Sequence, residues 1–262
     1  MNRIGLLLLA VAIFSLPAAA EQWSKTYTIT NTPDLRVETT DANIHVDTWD
    51  QKSIQATITS SRYKFGRGGL TVEEHQSGDT VDINLRFPHE VHFFNFDSGR
   101  VDIHIHMPRK GRVDLHSGDG KIDLAQFSGE MELRSGDGAE EIHQVEGNLH
   151  ANTGDGHINA DGKFEALDVK TGDGNLDVRA IAGSKVSEEW TLHTGDGSVS
   201  LQLPQDLAAD LHLHTGDGHI DVDLPIATEG RIAGNDIRGK LNGGGNLISI
   251  QTGDGSINLR KG

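Results

Sequence analysis

Seven aspartates recur in one setting. The tetrapeptide Thr/Ser-Gly-Asp-Gly starts at Ser117, Ser135, Thr153, Thr171, Thr194, Thr215 and Thr252, which places Asp119, Asp137, Asp155, Asp173, Asp196, Asp217 and Asp254 each between two glycines. Two chemistries suit a row of carboxylates: coordination of a hard cation such as calcium, and acid–base cleavage of glycosidic bonds by a carboxylate pair. The first four copies start 18 residues apart, and the later gaps are 23, 21 and 37. A fixed period of this size marks a stacked repeat, which would bring successive carboxylates to about 5 Å. Two like charges at that distance repel by about 1 kcal/mol in water and about 3 kcal/mol at an effective dielectric of 20. Calcium at Asp119, Asp137, Asp155 and Asp173 would offset this. The calcium-binding nonapeptide, Gly-Gly-x-Gly-x-Asp-x-apolar-x, is nevertheless not matched.

The simpler expectation is turn chemistry, with no metal or cofactor. Each aspartate would accept hydrogen bonds from the amides of its own turn, and the flanking glycines would supply positive φ. The turns are Gly118-Asp119-Gly120, Gly136-Asp137-Gly138, Gly154-Asp155-Gly156, Gly172-Asp173-Gly174, Gly195-Asp196-Gly197, Gly216-Asp217-Gly218 and Gly253-Asp254-Gly255. Catalysis needs carboxylates in differentiated surroundings, whereas these are repeated. No catalytic residue is therefore assigned.

Other chemistry-bearing residues read the same way. The chain has 14 histidines, with outward pairs expected at His104/His106 and His212/His214 and His193 stacked beside His214. Imidazoles at i and i+2 on one strand can hold zinc or copper, but Asp, Arg, Asn and Lys fill the equivalent positions, as on a solvated face. Protonation below about pH 6.5 would reduce the negative charge. Sugar-stacking platforms are few: Trp23, Trp49, Trp190 and two tyrosines. Phe65-Gly66-Arg67-Gly68-Gly69 lacks the Lys-Ser/Thr ending of a phosphate loop. Phe93, Phe94 and Phe96 form either a cap over an open end of the stack or a patch for a partner.

The elements that must position these residues follow from the columns. Four residues before each Thr/Ser stand Val113, Met131, Leu149, Leu167, Trp190, Leu211 and Ile248; two before stand Leu115, Leu133, Ala151, Val169, Leu192, Leu213 and Ile250. After the turn come pairs such as Ile122/Leu124, Ile158/Ala160 and Ile257/Leu259. Period-two alternation of this kind predicts half-buried strands. Glu140 breaks the pattern and predicts a bulge or exposed loop. Each repeat reads as strand, turn, strand and a second turn closed by Gly129, Gly147 or Gly183. An antiparallel meander would gain nothing from residues matched 18 apart, whereas winding coils stack like on like. The expected fold is all-β, a single-stranded parallel β-helix or β-solenoid with right-handed coils of about 18–23 residues. Ser77-Gly78-Asp79, followed by Val81, Ile83 and Leu85, reads as a decayed repeat. Arg260 and Lys261 place charge on an expected edge strand, which guards against edge pairing.

Residues 1–20 have the layout of a secretory signal peptide: Arg3, an apolar stretch from Ile4 to Phe14, and Ala18-Ala19-Ala20 before Glu21. The chain is then divided into an N-terminal cap with irregular coils over 21–110 and the regular repeats over 111–262. It is expected outside the cytoplasm, in the periplasm or at the cell surface, with no membrane-spanning segment in the mature chain. There are no cysteines and hence no disulfides; the formal net charge of −16 disfavours nucleic acid and anionic lipid as partners.

The signal peptide, the repeated TGDG-x-Ile-x-Val units such as Thr153 to Ala160, and the C-terminal LNGGGNLISIQTGDGSINL together resemble the putative-adhesin β-helix family of bacterial envelope proteins, a domain of unknown function. The resemblance implies a parallel β-helix at the envelope with adhesion or surface scaffolding as its role, and carries no catalytic residues. The function expected is non-catalytic, with multivalent contacts to an envelope or cell-surface protein or glycan. The alternatives are a polysaccharide lyase or glycosidase on the same scaffold, and an envelope-stress sensor domain that binds a protein partner.

Overall fold

A computed structural model describes residues 21–88, 99–228 and 234–262. The expected leader at 1–20 and Phe93, Phe94 and Phe96 lie outside the described residues. The chain runs β1 (Glu21–Thr28), β2 (Asp34–Thr39), β3 (Asn43–Trp49), β4 (Ser53–Ser60), β5 (Thr71–Ser77), β6 (Thr80–Arg86) and β7 (Val101–Pro108). The repeats follow as β8 (Lys110–Ser117), β9 (Ile122–Ala125), β10 (Ser128–Ser135), β11 (Glu140–Thr153), β12 (Ile158–Thr171), β13 (Leu176–Ala180), β14 (Trp190–Thr194) and β15 (Val199–Leu203). The last are β16 (Ala209–Thr215), β17 (Ile220–Val222), β18 (Ile226–Thr228), β19 (Asp236–Leu241), β20 (Leu247–Thr252) and β21 (Ile257–Lys261). No helix occurs among the described residues, so none is long and apolar enough to cross a membrane.

Each coil is a strand before the Gly-Asp-Gly corner and a strand after it. Equivalent strands pair in parallel and in register: Ser135 lies beside Ser117 on one side and Thr153 on the other, and Ile158 beside Leu176. Like therefore stacks on like. Leu115, Leu133, Ala151 and Val169 form one inward column and Ile122, Ile158 and Leu176 part of another, all in a single apolar core. Trp190 belongs to this core, its ring edge-on to Phe164 and its Nε1–H donating to the Glu165 carbonyl at 3.2 Å.

The stacking order departs from sequence order at both ends. The coil β20–β21 sits between β14–β15 and β16–β17. At the other end β2–β3 sits between β6–β7 and β8–β9. Antiparallel strands finish the stack, β4 on β7 with β1 on β4, β5 on β6, and β19 on β16 with β18 on β19. The irregular gap of 37 between Thr215 and Thr252 is thus a coil laid down, an antiparallel excursion, and a return into the gap.

Four sequence expectations are corrected. The strand that carries Arg260 and Lys261 is not the final edge strand, because β15 and β17 flank β21, although β17 pairs only as far as Leu259 and leaves these two residues paired with β15 alone. His193 and His214 are not neighbours; Gln251 of β20 stands between them. Ser77-Gly78-Asp79 is not a corner: Gly78 (φ +62°) and Asp79 form a two-residue hairpin joining antiparallel β5 and β6. Its Asp79 carboxylate accepts from the Thr30 and Asn31 amides at 2.6 and 3.1 Å, which hold its pKa below the ordinary value. Glu140 lies in no exposed loop, and the first register shift in β11 comes after it, between Ile142 and Val145. Glu140 itself continues β11 in register between Ile122 and Ile158, and its side chain is fully buried.

Candidate functional site: the corner ladder and the outer faces

The seven Gly-Asp-Gly turns lie on one edge of the stack, but the chemistry that builds them is not the one expected. None of their glycines has a left-handed φ; positive φ occurs at the opposite corner, at Gly129 (+136°), Gly147 (+125°) and Gly183 (+91°). What demands glycine in the motif is proximity. A Cβ on Gly156 would sit 2.1 Å from the carbonyl oxygen of Gly138 in the next coil, and one on Gly174 would sit 1.9 Å from that of Gly156. The backbones approach so closely because the Gly154 N–H donates to the Gly136 carbonyl at 2.5 Å and the Gly172 N–H to that of Gly154 at 2.6 Å.

The residue that satisfies the turn is the Thr or Ser. The Thr171 hydroxyl donates to the Gly156 carbonyl at 2.8 Å and accepts from the Gly174 N–H at 3.2 Å. The same pair of bonds is made by Ser117, Ser135, Thr153, Thr194, Thr215 and Thr252. All seven hydroxyl residues are buried, and all seven aspartates are exposed. The turn amides thus bond to hydroxyl and backbone oxygens rather than to the aspartates. Among the described residues no three His, Cys, Asp or Glu converge as a metal set.

Sequence reading singled out the glycines and aspartates and missed the hydroxyl, although Thr or Ser opens every copy. We expect Thr171→Val, which keeps the shape but removes both bonds, to cost about 2–3 kcal/mol by leaving a buried N–H and C=O unpaired. Thr171→Ser should recover most of this, as Ser117 and Ser135 already hold the same column. Urea unfolding with an unchanged m value measures both.

A further corner was hidden. Thr39-Thr40-Asp41-Ala42 stacks on Ser117-Gly118-Asp119-Gly120: Thr39 pairs with Ser117, the Gly118 N–H donates to the Thr39 carbonyl at 3.0 Å, and the Ser117 hydroxyl donates to the Ala42 carbonyl at 2.9 Å. Its signal was the flanking Leu35/Val37 and Ile44/Val46, which stand at the same offsets as in the regular copies. Thr40 and Ala42 carry side chains there because the next coil, β6–β7, has Leu85 beside Thr39 and presents no such corner. Beside Asp119, the Asp41 carboxyl has its pKa raised, first by partial desolvation and then by a hydrogen bond to Asp119.

The outer faces are ladders of charge. On the sheet before the corner, Asp82, Arg36, Asp114, Glu132, His150 and Asp168 follow one another across successive strands. Arg134 reaches Asp114 at 3.4 Å and also Glu132, while His150 and Lys170 meet Asp168 at 3.0 and 2.9 Å. On the other sheet the His45 Nδ1 lies 2.6 Å from Asp123, and its ring stacks on His104 at 4.8 Å. The hydrogen bond to Asp123 lifts the His45 pKa against the opposing effect of burial. His104, His106, His212 and His214 project outward. The arrangement neutralises charge locally across many rungs and repeats itself along both faces.

An all-β stack of in-register coils cornered by glycine and threonine defines a class of repeat architecture. The Toastrack DUF4097 family model matches residues 33–260, and the chain belongs to that family. Several solved structures are similar to it, three of which follow. A putative cell adhesion protein from Clostridium sporogenes is 13% identical, with 93% of this chain and 100% of that one covered and a TM-score of 0.47. Putative adhesins from Bacteroides fragilis (11%; 91% and 97% covered; 0.42) and Parabacteroides merdae (12%; 91% and 96%; 0.39) are two more. No curated protein matches the chain.

Proposed function

We propose that this chain is a non-catalytic, extracytoplasmic scaffold that adheres through many weak contacts along its polar faces. Secretion would follow removal of residues 1–20 near Ala20, and the partner would be a protein or glycan of the envelope or cell surface. We also infer that the coils wind right-handed as a parallel β-helix, in keeping with the strong preference of parallel crossovers for that hand. One observation carries the functional reading: ionic rungs such as Arg36–Asp82, Arg134–Asp114 and Arg112–Glu132 repeat along the stack. Such a surface gains avidity by addition of weak contacts rather than by one decisive contact.

The test is retention of the secreted chain on intact cells over a salt series. Graded, salt-dependent retention is expected, falling stepwise as Asp114→Asn, Glu132→Gln and Asp168→Asn are combined. Abolition by any one of these substitutions alone, or retention insensitive to salt, would sink the multivalent reading.

A further inference from the structure

Among the described residues, β20–β21 is the one coil with a Gly-Asp-Gly corner that enters a gap between strands preceding it in the chain. It bonds to both walls of that gap. On one side the Gly253 N–H donates to the Gly195 carbonyl at 2.6 Å; on the other the Gly253 carbonyl accepts from the Gly216 N–H at 2.7 Å. The Thr252 hydroxyl donates to the Gly197 carbonyl at 2.7 Å, and the Gly255 carbonyl accepts from the Thr215 hydroxyl at 2.8 Å. Ile248, Ile250, Ile257 and Leu259 have no exposed surface. Without this segment the slot would open onto Leu192 and Leu201 on one wall and Leu211 and Leu213 on the other, dividing the core. The slot fits a β20–β21 segment, whichever copy supplies it.

The link to the segment is short and able to bend. β19 lies on one side of β16 and β20 on the other, so residues 242–246 cross over β16 and reverse the chain. The crossing covers two strand spacings, about 10 Å. Asn242 (φ +48°), Gly243 (+94°) and Gly244 (+88°) make the reversal. Left-handed φ is uncommon for a residue with a side chain. Asn242 is held there by its side-chain amide, which donates to the Gln205 and Leu207 carbonyls at 2.8 Å each. A Cβ on Gly243 would meet none of the described atoms within 4 Å, so packing does not fix the bend. Extended, the five residues reach at most about 17 Å, which carries β20 clear of its own β16. The segment makes the same contacts in the slot of either copy. Exchange therefore alters only the hinge and the number of independent molecules.

We propose that the slot between β14–β15 and β16–β17 is an interface between copies of this chain, filled by β20–β21 of a second molecule. Two molecules exchange the segment reciprocally, and each completes the corner ladder of the other. A segment on a short linker has an effective concentration on the order of millimolar at its own slot, so exchange takes over where chains are crowded to that level. The outward charges play no part in it, which makes the interface independent of the multivalent reading.

Disulfide trapping tests the exchange cleanly, because the chain has no cysteine. His193 of β14 and Gln251 of β20 are exposed cross-strand neighbours, and paired strands lie about 4.8 Å apart, within the reach of a disulfide. Secreted chains with His193→Cys and chains with Gln251→Cys are mixed in urea, refolded together at millimolar or micromolar concentration, and oxidised. Chains with Asn152→Cys and Lys170→Cys, neighbours in coils stacked in chain order, measure random pairing. After concentrated refolding the first mixture is expected to give at least ten times the interchain disulfide of the second, and after dilute refolding no more than it. Deleting Gly243 and Gly244 leaves three linking residues, about 10 Å when extended, with no slack for the reversal. Light scattering should then find dimers even at micromolar concentration. Should that variant not fold, Asn242→Ala, which gives up two hydrogen bonds of an exposed side chain, should raise the trapped yield at least threefold. A first-mixture yield at the random level after concentrated refolding overturns the proposal. So does a folded deletion variant that stays monomeric, or a yield unmoved by Asn242→Ala.

Discussion

Gly156→Ala leaves a chain that either fails to fold or loses at least about 3–4 kcal/mol of stability, the size expected when a substitution forces a well-packed backbone apart. The added methyl would lie 2.1 Å from the Gly138 carbonyl oxygen and 2.6 Å from its carbon. These are backbone atoms held by the ladder, so no side chain can swing aside to make room. Relief requires those two coils to separate, which breaks the Thr153 hydroxyl bond to the Gly138 carbonyl and the Gly154 N–H bond to the Gly136 carbonyl. A second substitution tells this cause from a conformational one. If the position needed a left-handed φ, Gly156→Asn would recover part of the loss, since asparagine tolerates that region. Contact with a carbonyl makes Gly156→Asn at least as damaging as alanine. Ala42 sits in the same column at the open end and is tolerated, which fits proximity to a neighbouring coil as the deciding factor. Urea melts of the three chains decide it; a midpoint unchanged by Gly156→Ala would remove the steric account of the motif.

The sequence displays what is local and hides what depends on which coil lies next to which. The inward columns were legible because period-two alternation is a property of a single strand, and the corner because its four residues recur. The reason for glycine was not legible, since a close approach and a positive φ select the same residue. Thr39-Thr40-Asp41-Ala42 escaped because the glycines that identify a corner are required only where another corner stacks against it. The insertion of β20–β21 between β14–β15 and β16–β17 is likewise invisible to spacing. The gap of 37 records an interruption but not that the chain comes back. Gly78-Asp79 misled for the opposite reason: the same dipeptide closes a hairpin when strands pair antiparallel.

Glu140→Ile is expected to stabilise the protein by several kcal/mol at pH 9 and by much less at pH 5. Glu140 lies between Ile122 and Ile158 in an inward column, with no exposed surface and neither carboxyl oxygen hydrogen-bonded. Burial pushes its pKa up to about 8; the backbones of Ser135 and Asn152 lie close enough to offset part of this without reaching hydrogen-bond geometry. At neutral pH the folded chain therefore carries a proton on Glu140 that the unfolded chain, with an ordinary value of 4.5, has released. The folded state binds more protons across that window, so stability is greatest below about pH 4.5 and falls as pH rises toward 8. Each pH unit is worth about 1.4 kcal/mol, which makes the whole loss on the order of 4–5 kcal/mol. His45, whose pKa is also raised in the fold, adds a loss in the same direction, so the slope of the parent alone does not isolate Glu140. The comparison of variants does. Glu140→Gln keeps a polar group without the titration and should flatten the profile while gaining little at pH 5. Glu140→Ile should flatten it equally and remove the remaining desolvation cost of about 1–3 kcal/mol. Parallel pH profiles for the parent and Glu140→Ile would mean that the carboxyl finds water or a partner in solution and is not sealed in the core. Divergence that opens between pH 5 and 8 and then stays constant is the signature of a proton taken up on folding.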